Sequence, residues 1–318
     1  MEVKRLVVLL ALATMLFSTG CATSEAPIPT PPSTPTPTPS PIPSPSPEPT
    51  PPPVGVFQEL KVHFIDVGEG DAILIDQQEI EVLIDGGDRS PGVVSYLNTY
   101  VDGPVELMVV THPHSDHIGG LIDVLAAFQV KEIWHNGETV PSKTCREFMS
   151  AVEAENARVV QAIRGHSTEL DGLILKVLHP ANLNDTTDNN SIVLHLAHGQ
   201  IDFLFTGDAE REAEGAMLIK SDMPVPDVEV LKVGHHGSRT ASSFAFLAVT
   251  TPEVAIYMAG EGNSDGYPHG DTISALCNAG AEVYGTDVHG SIVITSDGKE
   301  YEIQLGKEAP AILPLIPP

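Results

Sequence analysis

The chain has 318 residues, a hydrophobic fraction of 42% and a formal net charge of −27. This length allows one large domain or two small ones, and the hydrophobic fraction allows a proper core. Only three acids and two bases precede Val56, so the acidic charge belongs to the rest of the chain. A surface of this charge repels polyanions and counts against tight, sequence-independent DNA binding.

The first twenty residues have the pattern of a secretory signal peptide. Two basic residues precede an apolar run, Leu6 to Phe17, which is too short and too close to the start for a permanent transmembrane helix. The next four residues, Ser18 to Cys21, resemble a bacterial lipobox, although Ser18 stands where leucine is usual. We therefore predict a signal peptide over 1–20 and lipidation of Cys21, with plain secretion as the alternative.

A proline-rich segment follows, and it predicts a spacer over 21–55. Of the 28 prolines in the chain, 15 lie between Pro27 and Pro53. Proline at this density favours an extended polyproline II arm, here of roughly 80 Å, that holds a domain away from a membrane surface. The remaining chain is expected to form one domain over 56–306 and a Pro-rich tail over 307–318.

Short apolar runs, broken by glycine and aspartate turns, open the domain and predict an antiparallel meander. The runs are Leu60 to Asp66, Ala72 to Ile75 and Val82 to Ile84. A helix near Val93 to Asn98 and a buried strand at Glu106 to Val110 follow. That strand leads directly into a cluster of metal-capable side chains.

The cluster holds four candidate ligands within six residues. In an extended segment, residues two apart point the same way, so His112 and His114 can share one metal. Asp116 and His117 are adjacent, leave in different directions and suit a second metal. Imidazole and carboxylate are ligands that zinc accepts, with manganese or iron as alternatives.

After the cluster, we expect the Gly119-Gly120 pair to form a turn that opens a helix over Leu121 to Phe128. The second half of the domain repeats the pattern of strands followed by helices, and two sheets face to face with helices outside would bury both sets of strands. Its predicted elements are a hairpin of Ile192 to Ala197 with Ile201 to Phe205, a helix over Glu210 to Ile219, strands at Val228 to Val233 and Val254 to Met258, a helix over Thr272 to Ala279, and strands near Val283, Ile292 to Thr295 and Tyr301 to Leu305.

Three predicted strands end in residues that can bind metal: the cluster, Asp208, and His235-His236. A binuclear site needs a carboxylate that bridges the two ions, and Asp208 suits that role because Gly207 lets the backbone come close. The competing interpretation makes Asp208 the N-cap of the helix that follows it.

These motifs resemble the metallo-β-lactamase fold superfamily and, more narrowly, the hydrolase domain of the ComEC-type competence proteins and its secreted relatives. The resemblance covers about residues 57 to 305 and implies an α+β fold, a four-layer αββα sandwich with two metal ions at one edge of the sheets. It is carried by His112-Pro113-His114-Ser115-Asp116-His117, Thr206-Gly207-Asp208, Gly68-Glu69-Gly70-Asp71, Leu231 to Ser238 and the loop from Asn263 to His269.

The resemblance also implies which residues bind the metals. The implied ligands are His112 and His114 for the first ion, Asp116 and His117 for the second, Asp208 as the bridge, and His235 to complete the second site. Whether His235 or His236 ligates stays open, because adjacent side chains point apart.

Two departures from the family pattern leave alternatives open. The superfamily commonly supplies one more histidine, and the candidate here is His179, although a histidine with apolar neighbours is as often a core residue. Relatives tend to carry Gly-His-Pro in the late loop, where this chain has Tyr267, with His269 two residues on. Tyr267, His269, His236 and Ser238 are therefore candidate substrate contacts.

The expected activity is that of a membrane-tethered extracellular metal-dependent hydrolase. Two divalent ions, zinc with manganese as the alternative, would lower the pKa of a shared water and supply hydroxide, with Asp116 and Asp208 as the catalytic carboxylates. We expect a phosphodiesterase or phosphoesterase that acts on a small or exposed phosphate ester. The alternatives are a competence-type nuclease, which the charge disfavours, a non-catalytic metal-dependent lipoprotein that binds an envelope polymer, and a β-lactamase.

The three cysteines do not indicate a disulfide scaffold. If Cys21 carries lipid, then Cys145 and Cys277 are either one disulfide or two buried thiols, and the sparse spacing favours thiols. No CxxC is present, which excludes a site built from such a thiolate pair.

Overall fold

Two mixed β-sheets form the centre of the structure, a computed structural model that describes residues 57–89 and 92–313. The predicted signal peptide, the linker with Cys21, and residues 314–318 of the predicted tail lie outside the described residues. The described residues all belong to one unit, Val54–Pro318. The domain limits set from the sequence stay predictions.

The strands of this unit, in chain order, are β1 (Leu60–Phe64), β2 (Ile73–Gln77), β3 (Ile80–Ile84), β4 (Val105–Val110), β5 (Val130–His135), β6 (Arg158–Gln161), β7 (Ser167–Leu170), β8 (Leu173–His179), β9 (Val193–His198), β10 (Ile201–Phe205), β11 (Val230–Lys232), β12 (Val254–Tyr257), β13 (Glu282–Gly285), β14 (Ile292–Ser296) and β15 (Tyr301–Leu305). The helices are α1 (Val94–Tyr100), α2 (Ser115–Ala127), α3 (Lys143–Ala154), α4 (Arg211–Leu218), α5 (Phe244–Thr250), α6 (Gly270–Ala279) and α7 (Thr286–His289). Two short 3-10 turns lie at Asp188–Asn190 and His235–Gly237.

The first sheet has the strand order β15-β14-β1-β2-β3-β4-β5-β6, and the second has the order β13-β12-β11-β10-β9-β8-β7. The predicted antiparallel meander is present as β1, β2 and β3. The predicted hairpin is present as β9 and β10, with Leu196 opposite Phe203. Parallel pairing begins at β4 in the first sheet and at β11 in the second.

Alternation along the strands divides the apolar side chains into layers. On β2 and β4, Ile75 and Val109 face the second sheet, whereas Leu74 and Met108 face the helices on the outside. On β10, Phe205 points between the sheets and Leu204 points outward. Helices α1 to α3 cover the first sheet, and helices α4 to α6 cover the second. The predicted αββα sandwich is thereby confirmed.

Helix α2 begins earlier than the sequence predicts. It starts at Ser115, so Gly119 and Gly120 lie inside the helix and do not form a turn before it. A Cβ atom at position 120 would lie 2.1 Å from the carbonyl oxygen of Gly86. The two glycines therefore serve close packing of α2 on the β3 loop, and the helix places Asp116 and His117 on its first turn.

The last strands return to the first sheet, although the sequence indicates two separate batches of strands. Strand β14 pairs with β1, and Leu60 lies opposite Ser296. All residues of β1 except Lys61 are buried, and a strand buried to this extent needs a neighbour on both edges. The C-terminal hairpin of β14 and β15 supplies that neighbour.

In the part of the chain that the structure describes, Cys145 and Cys277 are both free thiols. Cys145 is buried, as expected, whereas Cys277 is only half-buried. Within the same residues, no helix has the length and apolar character that crossing a membrane requires.

Candidate metal centre

Ligand side chains from several elements meet at one edge of the two sheets. His112 and His114 follow β4, Asp208 follows β10, and His236 lies just beyond β11. A fifth side chain, Asp188, comes from the 3-10 turn between β8 and β9. Because the carboxyl ends of these strands point to the same edge, polar residues that are distant in sequence form one cluster.

The first group of ligand atoms consists of two histidines and one aspartate. His112 Nε2 and His114 Nδ1 lie 3.1 Å apart. Asp188 Oδ1 lies 3.0 Å from His114 Nδ1 and 3.7 Å from His112 Nε2. Ligands bonded at about 2.0–2.1 Å to one tetrahedral zinc lie about 3.3–3.4 Å apart, so these three atoms fit around one ion.

The second group combines two residues of α2 with two from the second sheet. Asp116 Oδ2 lies 3.6 Å from His117 Nε2 and 3.3 Å from His236 Nε2. Asp208 Oδ2 lies 3.2 Å from the same nitrogen atom of each histidine. These four residues surround a second position for an ion.

Asp208 joins the two positions. Its Oδ2 atom also lies 3.7 Å from His112 Nε2, a member of the first group. The Asp208 side chain is 2% exposed, so solvent screens its negative charge very little. The structure therefore places Asp208 where a bridging carboxylate would stand.

Three buried ligand atoms have no hydrogen-bond partner among the described residues, as expected for atoms that bind a metal. These atoms are His117 Nε2, His236 Nε2 and Asp188 Oδ1. A buried polar atom without a partner costs about 1–3 kcal/mol. Imidazole nitrogen and carboxylate oxygen are ligands that zinc, manganese and iron accept, so two divalent ions would satisfy all three atoms.

Contacts behind the ligands fix the orientation of the rings. His117 Nδ1 donates to Asp85 Oδ2 at 2.8 Å, which leaves Nε2 facing the second position. His236 Nδ1 donates to the carbonyl oxygen of Met258 at 2.9 Å with the same result. Asp85 is itself held by the backbone N–H and hydroxyl of Thr111, at 2.8 and 2.6 Å. Such outer contacts set the tautomer and the aim of metal-binding histidines.

Opposite charges dominate the electrostatics of the second position. Burial alone would lower the pKa of His117 and His236, but the carboxylates of Asp208 and Asp116 outweigh burial and raise both pKa values well above the ordinary value. Burial acts in the opposite direction on Asp208, and the two histidines outweigh it and hold the pKa of Asp208 well below its ordinary value. The four side chains thus favour positive charge among them, which a divalent ion supplies.

A buried lysine beneath the site escaped the sequence reasoning. Lys232 is fully buried, and its ammonium group contacts the Asp71 carboxylate and donates to the carbonyl oxygen of Gly207 at 2.9 Å. It lies 3.9 Å from Asp208 Oδ1, the oxygen that faces away from the histidines. A charged residue inside the otherwise apolar strand Val230–Lys232 was the signal that could have revealed it.

The sequence left open which of the two adjacent histidines ligates. His236 contributes its nitrogen to the second position, whereas His235 lies in a separate group of possible ligands with Asp188 and Asp208. His235 Nε2 lies 3.9 Å from Asp208 Oδ2, and its Nδ1 atom lies 3.1 Å from Glu210 Oε1. Both histidines have left-handed backbone conformations, with φ of 48° and 52°. This strained turn points the two rings in different directions.

His179 does not join the cluster, so it is not placed as a metal ligand. Its Nε2 atom bonds instead to the carbonyl oxygen of Asn189 at 2.8 Å. Asp188, one residue before Asn189, takes the place next to His112 and His114. The sequence reasoning missed Asp188, although acidic and amide residues just before the buried run of β9 were a signal for it.

The candidate substrate contacts lie at different distances from the cluster. The Tyr267 hydroxyl is 3.3 Å from His235 Nε2, so this side chain lies beside the site. The Ser238 hydroxyl bonds to the Thr240 hydroxyl at 2.8 Å and is used in the local turn. His269 Nδ1 accepts from the backbone N–H of Arg239 at 3.1 Å and belongs to no group of ligand atoms.

Comparison with known proteins assigns the chain to a family. The family model described as "Metallo-beta-lactamase superfamily" matches residues 65–261, more than half of the chain. The chain belongs to this superfamily. Its members are in general metal-dependent hydrolases that bind divalent metals, typically two, and this chain is accordingly a metal-dependent hydrolase of the metallo-beta-lactamase superfamily.

The similar curated proteins include competence proteins of the ComEC type, as the sequence motifs predict. ComE operon protein 3 of Bacillus subtilis is 28% identical over 255 residues, which are 74% of this chain and 33% of that protein. Recombination protein 2 of Haemophilus influenzae is 29% identical over 253 residues, 77% of this chain and 30% of that protein. The chain thus spans about a third of the length of the curated relatives that it matches.

Among solved structures, CmlA, a diiron beta-hydroxylase from Streptomyces venezuelae, has a TM-score of 0.50 and 12% identity. The alignment covers 77% of this chain and 55% of that one. At this identity the likeness establishes the fold alone, because one fold carries several chemistries.

Proposed function

We propose that this superfamily member is a phosphodiesterase held at the outer face of a bacterial membrane. The observation that carries the proposal is the Oδ2 atom of Asp208, which lies between the two groups of ligand atoms. Two ions joined by such a bridge suit the displacement of an ester at phosphorus, since both the attacking and the leaving oxygen need stabilisation.

The charge of the ligand shell supports a singly charged substrate. Two divalent ions set against the carboxylates of Asp116, Asp188 and Asp208 leave one positive charge, before the outer residues are counted. A phosphodiester carries one negative charge and matches this balance. The acidic surface of the chain, with a net charge of −27, disfavours long polyanions and favours a small or exposed ester.

When bound, the two ions would lower the pKa of a water towards neutrality and neutralise charge that develops on the ester oxygens. Asp116 is the most exposed of the three ligand carboxylates and would orient that water. Its side chain is 25% exposed, whereas that of Asp208 is 2% exposed, so Asp116 borders the open side of the cluster.

Tyr267 is the side chain that would hold the substrate. Its ring lies 5.5 Å from that of His235 and 5.9 Å from that of His236, so it covers the edge of the site. Burial raises the pKa of the Tyr267 hydroxyl, which keeps it protonated and able to donate to a phosphoryl oxygen.

The membrane tether rests on the sequence of residues 1–55, and lipidated Cys21 would be its attachment point. Secretion without lipid is the alternative. A nuclease of the competence type is the second candidate activity, because the similar curated proteins include ComE operon protein 3 and recombination protein 2. The acidic charge opposes it.

The test is hydrolysis by the purified domain loaded with zinc or with manganese. The substrates are bis(p-nitrophenyl) phosphate, a choline phosphodiester, single-stranded DNA and nitrocefin. We expect turnover of the two small phosphodiesters, and a loss of at least about 100-fold in kcat for Asp208→Asn, the scale of removing a group that acts in the transition state. Asp222→Asn makes the same chemical change on a carboxylate that is 74% exposed and should keep full activity.

Each other outcome has a definite meaning. Turnover of single-stranded DNA in preference to the small diesters would establish the nuclease. Cleavage of nitrocefin alone would reject a phosphodiesterase. If the metal-loaded domain hydrolysed none of the four while still binding an envelope polymer, the chain would be a binding protein.

A further inference from the structure

The aspartate of the first metal position stands on an isolated turn. Most ligands of the cluster directly follow a strand or lie on α2, whereas Asp188 begins the three-residue turn Asp188–Asn190. Metal ligands must be held to about 0.5 Å by the residues around them. The turn has two short-range backbone hydrogen bonds of its own, from Asn190 N–H to the Thr187 carbonyl and from Ser191 N–H to the Asp188 carbonyl, each at 3.0 Å. These bonds do not fix the turn relative to the rest of the site, so its neighbours must hold Asp188 in place.

Asn190 is the first support of the turn. It is fully buried, and its amide nitrogen donates to Glu138 Oε2 at 3.0 Å and to the carbonyl oxygen of Asn184 at 3.1 Å. Its amide oxygen accepts from the backbone N–H of Asn184 at 2.7 Å. Asn136, also buried, donates to the Asn190 carbonyl oxygen at 2.9 Å. The side chain of Asn190 thus uses both of its donors and its acceptor to fix the end of the turn.

Asn189 receives the second support. Its carbonyl oxygen accepts from His179 Nε2 at 2.8 Å. Its amide oxygen accepts from the backbone N–H groups of Glu210 and Ala213, each at 3.1 Å, at the start of α4. The turn is therefore fixed from β8 on one side and from α4 on the other, with Asp188 directly before the fixed residues.

We propose that His179 and Asn190 are positioning residues of the first metal position, and that both act through Asp188. His179 is 6% exposed and belongs to none of the ligand groups found among the described residues, and its Nε2 atom contacts the Asn189 carbonyl instead. Asn190 is the residue whose contacts tie the turn to the loop after β5. This inference rests on the two-metal site of the proposed function, but it does not depend on the substrate.

The test measures metal binding directly, so it can fail while the hydrolase assignment stands. Zinc affinities at both positions are obtained by competition with a chromophoric chelator, and stoichiometry by atomic emission after dialysis. We expect Asn190→Ala and His179→Leu to weaken the first position by about 10–100-fold, the usual effect of removing an outer contact of a metal ligand. The second position should keep its affinity.

His179→Gln separates positioning from ligation. A glutamine amide can place an N–H close to where His179 Nε2 donates, but it is a poor zinc ligand. We expect His179→Gln to bind two ions with nearly the affinity of the unmodified protein. If it loses as much affinity as His179→Leu, the role of His179 as a donor to Asn189 is refuted.

A double-mutant cycle tests whether Asn190 acts through Asp188. Adding Asn190→Ala to Asp188→Asn should weaken zinc binding no further, because the ligand that it supports is already gone. Additive losses would overturn the proposal. The cobalt-loaded Asn190→Ala protein should also show the visible spectrum of the cobalt-loaded Asp188→Asn protein.

General loss of stability is excluded by a matched control. Leu196 is fully buried between the sheets on β9, so Leu196→Ala lowers the melting temperature without touching the turn. It should still bind two ions. If Asn190→Ala does not fold, the comparison of His179→Leu with His179→Gln decides, and unchanged zinc binding by a folded His179→Leu variant rejects the proposal.

Discussion

Asp85 supports the metal site from behind, through its hydrogen bond with the ligand His117. It is fully buried and bonds to His117 Nδ1 and to two groups of Thr111. Burial raises the pKa of this carboxyl, against the opposing effect of His117. The residue is therefore expensive to keep in the interior, and its contact with a metal-facing imidazole explains its position.

We predict that Asp85→Asn weakens metal binding at the second position by about 10–100-fold, because the amide no longer offers His117 a charged acceptor. A zinc titration of the variant measures the loss. The control is Asp202→Asn, which alters a similar contact, since Asp202 Oδ1 lies 2.9 Å from His195 Nε2 outside the cluster. Equal affinity in Asp85→Asn and the unmodified protein would contradict the prediction.

Single residues differ in how visible they are in the sequence. His112, His114, Asp116 and His117 stand together within six residues, and the structure places all four in the cluster. Asp188 has no such local mark, because it lies in a polar stretch beside Asp185 and several asparagines. Whether Asp185 or Asp188 enters the cluster depends on how the turn folds against α4 and the loop after β5. The residue pattern alone does not determine this folding.

At the scale of elements, the start of α2 shows where propensity misleads. Glycine has a low intrinsic helix propensity, and Gly119-Gly120 therefore predicts a turn. Packing overrides this preference, because a Cβ at position 119 would lie 2.9 Å from the backbone nitrogen of Arg89. The strands were easier to predict, since their apolar alternation is local, whereas the partners of β14 are distant in sequence.

Gly120→Ala is predicted to destabilise the domain and to disturb the second metal position. The added Cβ would lie 2.1 Å from the carbonyl oxygen of Gly86, so α2 must shift and carry Asp116 and His117 with it. Overpacking of this kind costs about 1–3 kcal/mol. Chemical denaturation and zinc titration measure the two effects.

The matched control is Gly215→Ala, within α4, where a Cβ has no neighbour within 4 Å. This change should stabilise the domain by about 0.5–1 kcal/mol, because alanine loses less backbone entropy than glycine in a helix. A Gly120→Ala protein as stable as the unmodified one would show that α2 tolerates the shift.

At the scale of the whole molecule, metal and protons compete for the same buried side chains. The folded-state pKa values of His117 and His236 are raised, so without metal their stabilising contribution is fully present below pH 6.5 and is lost as pH rises through those values. Metal binding must displace these protons. The stabilisation that metal provides therefore increases with pH.

We predict that zinc raises the melting temperature only slightly at pH 5 and much more at pH 8. The gain in stability should grow by about 1.4 kcal/mol per pH unit for each displaced proton. Buried histidines away from the cluster, such as His63 with its pKa lowered to about 4, titrate with and without zinc and cancel in the difference. Differential scanning fluorimetry checks this, and a pH-independent gain would contradict it.

The pairing of β1 with β14 constrains the order in which the chain can fold. Strand β2, one neighbour of β1, is available early in synthesis. The other neighbour, β14, comes more than two hundred residues later. Until then β1 keeps one open, apolar edge, which is a site for pairing with other chains. Co-translational folding thus cannot complete the first sheet until β14 has been synthesised.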